Sequence, residues 1–236
     1  MPVPVDIVLP CYNPNDSWPL ELICFNDFVK GLYSVNYIIV NDGSTDNKIP
    51  NQIEHLKQNG IAVKYLSYEK NHGKGFALRH GVKIASSEFI VCTDIDFPFT
   101  NQSMSWLISE LIKGNYDVVS GNRNDVYYQK KMSIFRKSLS KVFRYFSKRI
   151  LRMSISDTQC GLKGFNKKGK EKFLSTRINR YLFDFEFIYL SSNDNTLKIA
   201  PAEVQLKDNV VFSKMRLKII IQEFFNLMYV LLFRKA

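Results

Sequence analysis

No two cysteines in the 236-residue sequence are spaced as Cys-x-x-Cys; the four that occur, Cys11, Cys24, Cys92 and Cys160, are scattered. That argues against a zinc module and for buried reduced thiols, since Cys11 and Cys92 lie in or beside apolar runs. Gly-x-Gly-x-x-Gly is missing, and so is Gly-x-x-x-x-Gly-Lys-Ser/Thr, which removes the dinucleotide fingerprint and the P-loop from consideration. There is no internal period and no low-complexity tract. The first residues, Met1 to Asp6, lack a charged n-region followed by an apolar stretch, so no secretory signal is expected and the expected location is cytoplasmic. Leu217 to Phe233 has 17 residues, fewer than the roughly 20 that span a bilayer; Lys218, Gln222, Glu223 and Asn226 fall on one stripe, and Leu227 to Phe233 is wholly apolar. The stretch reads as a helix lying in a membrane interface, with a core helix or a truncated span as alternatives.

Acidic residues are in short supply in one region only. The net charge is +11, and between Tyr127 and Arg180 sixteen Lys/Arg face only Asp157 and Glu171, a local net of +14. The rest of the chain therefore carries about −3, a near-neutral domain with a basic segment grafted on. Such a segment suits an anionic partner: nucleic acid, lipid headgroups or a phosphorylated substrate.

Strand and helix alternate through the first half. Strands are expected at Val5 to Pro10, Tyr37 to Val40, Ala62 to Leu66, Phe89 to Thr93 and Tyr116 to Ser120. The helices between them start near Trp18, Ile49, Lys74 and Gln102. In the first helix, Leu20, Ile23, Phe25 and Phe28 are expected to face inward. Short connections and this alternation predict an α/β fold, a mostly parallel sheet with helices on both faces. From Met132 to Met153 the pattern becomes a basic amphipathic helix, with Phe135, Leu139, Val142, Phe143, Phe146, Ile150 and Met153 on its apolar face. It reads either as a helix on an anionic surface or as a docked helix with a solvated face.

The chemistry gathers where strands end. Phe89 to Cys92 is a short apolar run, and it leads straight into Asp94 and Asp96. Two desolvated carboxylates are costly unless a cation neutralises them, and the carboxyl ends of parallel strands are where α/β sheets bind ligands. The pair suits Mg²⁺ or Mn²⁺ held by one carboxylate plus ligand phosphates. An isolated Asp-x-Asp is more often plain loop. Here, however, the first strand also ends decorated, in Pro10-Cys11-Tyr12-Asn13, and the second in Asn41-Asp42-Gly43-Ser44-Thr45-Asp46. Asn71-His72-Gly73-Lys74-Gly75 lies between these and the acidic pair.

In order and spacing, these four segments resemble the inverting GT-A glycosyltransferases of family 2. Ser156-Asp157-Thr158-Gln159-Cys160-Gly161-Leu162-Lys163-Gly164-Phe165 is similar to a segment of dolichyl-phosphate glucose and mannose synthases and of bacterial polyprenyl-phosphate glycosyltransferases. Tyr181 to Glu186 and Phe212 to Met215 resemble later blocks of the same group. The resemblance implies a GT-A, Rossmann-like sheet and transfer of a hexose from a nucleotide-sugar to polyprenyl phosphate at the cytoplasmic membrane face, with no nucleic acid involved. It places the donor against Pro10, Tyr12, Asn13, Asp42, Gly43, Ser44, Lys74 and Asp94. Asp42 would accept from the base, Tyr12 would pack on it, and Lys74 would neutralise phosphate charge. The metal would be held chiefly by Asp96 with help from Asp94, and the acceptor phosphate would meet Arg123 and Arg136. A lipid monophosphate is already ionised and needs cations rather than a general base. Asp157 is left with three roles, to orient the basic loop, to touch the donor sugar, or to act as base toward a hydroxyl acceptor; Asp184 and Glu186 are rival bases. The chain departs from its lipid-phosphate relatives in following the acidic pair with Phe97-Pro98, and Pro98 has no side-chain ligand to offer. The resemblance divides the chain into a donor half (1–123), an acceptor half of the same domain (124–214) and an interfacial helix (215–236). Two rivals remain: a transferase extending a polysaccharide through a hydroxyl, and a basic membrane-binding module with a vestigial sugar site.

Overall fold

The structure is a computed structural model and describes residues 2–123, 134–151, 153, 155–208, 210 and 217–234. β1 (Val3–Cys11) is central and pairs in parallel with β2 (Tyr33–Asp42) and β4 (Phe89–Cys92), while β3 (Val63–Tyr68) pairs with β2. Beyond β4 lie β6 (Lys163–Phe165), then β5 (Val118–Arg123), then β7 (Ile199–Val204) at the far edge, in the order β3-β2-β1-β4-β6-β5-β7. β6 is antiparallel to both its neighbours, and every other pairing is parallel. The chain steps from β1 outward to β3 and then returns to the other side of β1 as β4. That reversal opens a crevice at the carboxyl ends of β1 and β4, the place where open α/β sheets take ligands.

Alternation along the strands builds two apolar layers, because successive side chains point to opposite faces. Ile7, Leu9, Ile39 and Val91 face α1 (Trp18–Phe28), α2 (Ile49–Gln58) and α4 (Asn101–Ile112). Val8, Ile38, Val40 and Ile90 face α3 (Lys74–Ile84), α6 (Lys167–Leu174) and α7 (Phe183–Ser192), with Val230 of α8 (Leu217–Phe233) in the same layer. Gly81 of α3 lets that helix lie directly on β1 and β2, since a Cβ there would stand 2.3 Å from Val8. At the opposite end of β1, Asp6 is buried and accepts from the Ser86 and Ser87 amides, the Ser87 hydroxyl and Asn36. Burial opposes its charge, but these donors win and lower its carboxyl below the usual range.

Two inward assignments do not hold. Leu20 and Phe28 are exposed, and α1 buries Trp18, Pro19, Leu22 and Phe25 instead, because the buried stripe runs through Trp18, Leu22 and Phe25 and the other two positions turn away from it. The long basic helix is α5 (Ile134–Tyr145), which passes into a π-helical turn over Phe146–Ile150. Val142 is exposed while Phe143 packs on Phe185, because neighbouring residues on a helix point about 100° apart and only one of the two can face α7. Arg136 is on α5, but its side chain lies outside the described residues, as do those of Phe135 and Leu139.

Candidate active site

Loops at the ends of β1, β2 and β3 are tied into one floor. Asn13 has φ 45, a backbone state asparagine tolerates better than most residues. Its N–H donates to Ser44 Oγ at 2.9 Å, and its Oδ1 accepts from the Thr45 N–H at 2.9 Å. Asn41 accepts from the Ser44 N–H and donates to Tyr65 and Ser67. Gly43, at φ 72, passes so close to the next loop that a Cβ would lie 2.6 Å from the Asn71 nitrogen. Tyr12 stands above this floor, half-exposed, while Pro10 is fixed within β1 opposite Val40.

Asp42 takes a part not foreseen from the sequence. Its carboxylate accepts from the Asn71 side chain (2.9 Å) and from the N–H groups of His72 and Gly73 (2.8 Å each). It thus shapes the turn that delivers Lys74. Gly73 has φ 108, and a Cβ there would collide with the Asn179 carbonyl at 2.5 Å, so only glycine allows the turn to sit against residues 178–180. Asn179 O in turn accepts from the Gly75 N–H at 2.8 Å.

The turn aims Lys74 at the acidic pair, its Nζ 2.5 Å from Asp94 Oδ1. Burial disfavours the ammonium, yet Asp94, Asp184 and Asp96 outweigh that and hold it above the usual lysine range. Asp94 leads a tight turn closed by the Phe97 N–H donating to the Asp94 carbonyl at 3.1 Å. Phe97 has φ 46, a left-handed state unusual for an aromatic residue. Its fully buried ring, against Phe25 at 5.6 Å and Tyr37 at 6.5 Å, compensates for that state. Asp96, just before it, is exposed at the mouth of the crevice. Its carboxyl loses hydration in the crevice and feels Asp94 beside it, and both effects push it above the usual carboxylate range. Among the described residues no group of three His, Cys, Asp or Glu is placed to hold a metal. A divalent cation fits here only on the Asp94–Asp96 pair, whose mutual repulsion it would relieve, with remaining ligands from a bound phosphate. Gly161 closes the other side: a Cβ there would be 2.7 Å from Asp94 Oδ2 and 3.4 Å from Lys74 Nζ.

Across the crevice, Asp157 is buried. It accepts from the Arg123 N–H (2.9 Å), Nε (2.7 Å) and Nη2 (2.6 Å), and Arg144 Nη2 lies 3.1 Å away. Burial alone would raise its carboxyl, but the two guanidinium groups override this and lower it. The geometry is that of an anion orienting two cations. Arg144 was legible in the sequence only as one charge among many on a helix. The rival bases are equally engaged. Asp184 Oδ1 is 2.5 Å from Lys163 Nζ, which also donates to the Cys160 carbonyl, and both side chains are almost wholly buried. Glu186 is fully buried and accepts from the Arg177 and Ile178 N–H groups at 2.8 Å each and from Arg234 Nε at 3.0 Å.

A mostly parallel sheet with a cross-linked floor at β1 and β2 and an outward acidic pair after β4 defines a GT-A-type ligand crevice. The glucosyl-3-phosphoglycerate synthase of Mycobacterium tuberculosis, crystallised with Mn²⁺, UDP-glucose and glycerol 3-phosphate, has the same fold. It superposes with a TM-score of 0.66 at 17% identity, over 98% of this chain and 79% of that one. The chain belongs to glycosyl transferase family 2, whose model matches residues 6–174. It is 28% identical over 218 residues to a dolichyl-phosphate beta-glucosyltransferase of Dictyostelium discoideum, covering 85% of this chain and 64% of that protein. With the undecaprenyl-phosphate 4-deoxy-4-formamido-L-arabinose transferase of Klebsiella pneumoniae it shares 27% over 165 residues, 69% of this chain and 49% of that one. The chain thus spans less than two thirds of the length of these curated relatives.

Proposed function

We propose that the chain is an inverting hexosyltransferase that moves a sugar from a nucleotide-sugar, UDP-linked, to a polyprenyl phosphate at the cytoplasmic face of a membrane. The observation that carries this reading is the state of the carboxylates on the acceptor side. Asp157, Asp184 and Glu186 are each buried and bound to cations or amides, which suits an acceptor that brings its own negative charge and needs no base. A phosphate monoester would meet Arg123 and Arg144 with their planes already set by Asp157, with Arg136 as a further cation from α5. On the donor side, Tyr12 offers a face for the base, and Asn13, Gly43 and Ser44 shape the floor beneath it. Lys74 balances diphosphate charge. Mg²⁺ or Mn²⁺ on Asp96 and Asp94 would stabilise the nucleotide diphosphate leaving group. The relatives named above, which act on dolichyl and undecaprenyl phosphates, and the UDP-glucose-bound structural neighbour support the substrate classes.

The test is transfer of labelled glucose from UDP-glucose into an organic-extractable lipid. The label should require both Mn²⁺ and added polyprenyl phosphate, and Asp96→Asn should lower the rate by at least about a hundredfold. Label appearing only in water-soluble saccharide would overturn the acceptor assignment.

A further inference from the structure

α8 turns two unlike faces outward and inward. Ile221, Phe224, Phe225, Met228 and Leu232 recur at the spacing of one helical face, and each is more than a third exposed, Phe225 at 66%. The other face is anchored. Val230 is buried in the core layer, with Leu227 and Leu231 packed against it. Glu223 Oε2 accepts from the Leu182 N–H at 2.9 Å, and just past the helix Arg234 donates to Glu186 and to the Ser175 carbonyl. These contacts fix the rotation of α8, so the phenylalanine stripe is a built surface of the docked helix. A contiguous apolar stripe of this kind marks an interaction face.

Charge identifies the occupant. α5 packs on the same side of the sheet through Phe143, and α5 with the π-helical turn that follows it exposes Lys141, Lys148 and Arg149 beside Val142 and Tyr145. Aliphatic and aromatic groups among basic ones suit an anionic lipid surface, where rings enter the headgroup boundary while ammonium and guanidinium groups meet phosphates. A second copy would bring one +14 segment toward another. Among the described residues no helix is long and apolar enough to cross a membrane.

We propose that the outer face of α8, with the basic face of α5, is the docking surface for an anionic lipid bilayer. The same anchors join this surface to the site. Glu186 holds the Arg177 and Ile178 amides, and Asn179 holds the start of α3 that carries Lys74. Seating on lipid therefore sets the crevice at a defined height above the membrane. The proposal takes its purpose from the lipid-phosphate reading, but it is tested without any sugar. The protein is co-sedimented with phosphatidylcholine vesicles made with and without phosphatidylglycerol. Wild type should bind the phosphatidylglycerol vesicles more tightly. Phe224→Ser/Phe225→Ser and, separately, Lys141→Glu/Lys148→Glu should each weaken that binding by at least about tenfold, with thermal midpoint and Mn²⁺-dependent UDP binding unchanged. Equal vesicle binding by wild type and the phenylalanine variant would overturn it. So would light scattering that shows a wild-type dimer made monomeric by the same variant, which would assign the face to a second copy. Vesicle binding with no transfer to polyprenyl phosphate would sink the acceptor reading and leave this one standing.

Discussion

Two carboxylates facing one crevice are held in opposite ways. Asp94 keeps 37% of its side-chain surface exposed with a single lysine against it, whereas Asp157 keeps 2% and is bound by two arginines. On the donor side the protein leaves negative charge incomplete. Asp96 is exposed at the mouth of the crevice, and partial loss of hydration together with Asp94 pushes its carboxyl up; in the proposed reading a cation and a diphosphate would complete the pair. On the acceptor side the negative charge is already matched inside the protein, and what it organises is positive. In the proposed reading, the open carboxylate would receive a ligand and the sealed one builds the wall that would receive another.

Removing the sealed charge breaks this contrast most severely. Asp157→Asn leaves two guanidinium groups together without their anion, and stability should fall by about 3–5 kcal/mol, read by urea or thermal unfolding. The sign with pH follows from the lowered carboxyl. The contribution of Asp157 is complete above its unfolded value, near pH 3.9, and is lost as pH falls through the lower folded value. The wild type should therefore show an acid loss of stability that the variant has already suffered, and the two curves should converge toward low pH. Parallel curves would mean that Asp157 is no stabilising anion.

A smaller effect sharpens the donor side. Gly161→Ala places a methyl 2.7 Å from Asp94 Oδ2, and the displaced atom is the end of a side chain that can swing away. Stability should change by less than about 1 kcal/mol, as for most substitutions without a buried penalty. Mn²⁺-dependent UDP affinity, measured by calorimetry, should drop about three- to tenfold as Asp94 leaves Lys74 and the metal position. Unchanged affinity would remove Asp94 from the donor site.

Much of this crevice was legible before the structure. The apolar run Phe89 to Cys92 ending in Asp94 and Asp96 and the short strand–helix alternation are local patterns, and parallel sheets turn local patterns into strand-end sites. What escaped were effects at a distance. β6 is three residues long and inserted antiparallel between β4 and β5, too short to show a period of two. Asp42 holds amides some thirty residues on, and a turn aspartate looks the same in sequence whether it faces a ligand or a loop. Arg144 was one of many basic residues on a helix, and only the fold shows that it shares Asp157 with Arg123. The stripe on α8 lay within a stretch whose apolar character was plain; which residues of it stay exposed depends on Glu223 and Arg234.

In the proposed reaction the acceptor's own charge stands in for a catalytic base. Its most direct test is the initial rate of glucose transfer from UDP-glucose, with Mn²⁺, to a polyprenyl phosphate and to the polyprenol of the same length. Transfer to the phosphate and none measurable to the alcohol is the expected result, from pH 6 to pH 8. Comparable rates to the alcohol would contradict it and return Asp157, Asp184 or Glu186 to the role of base.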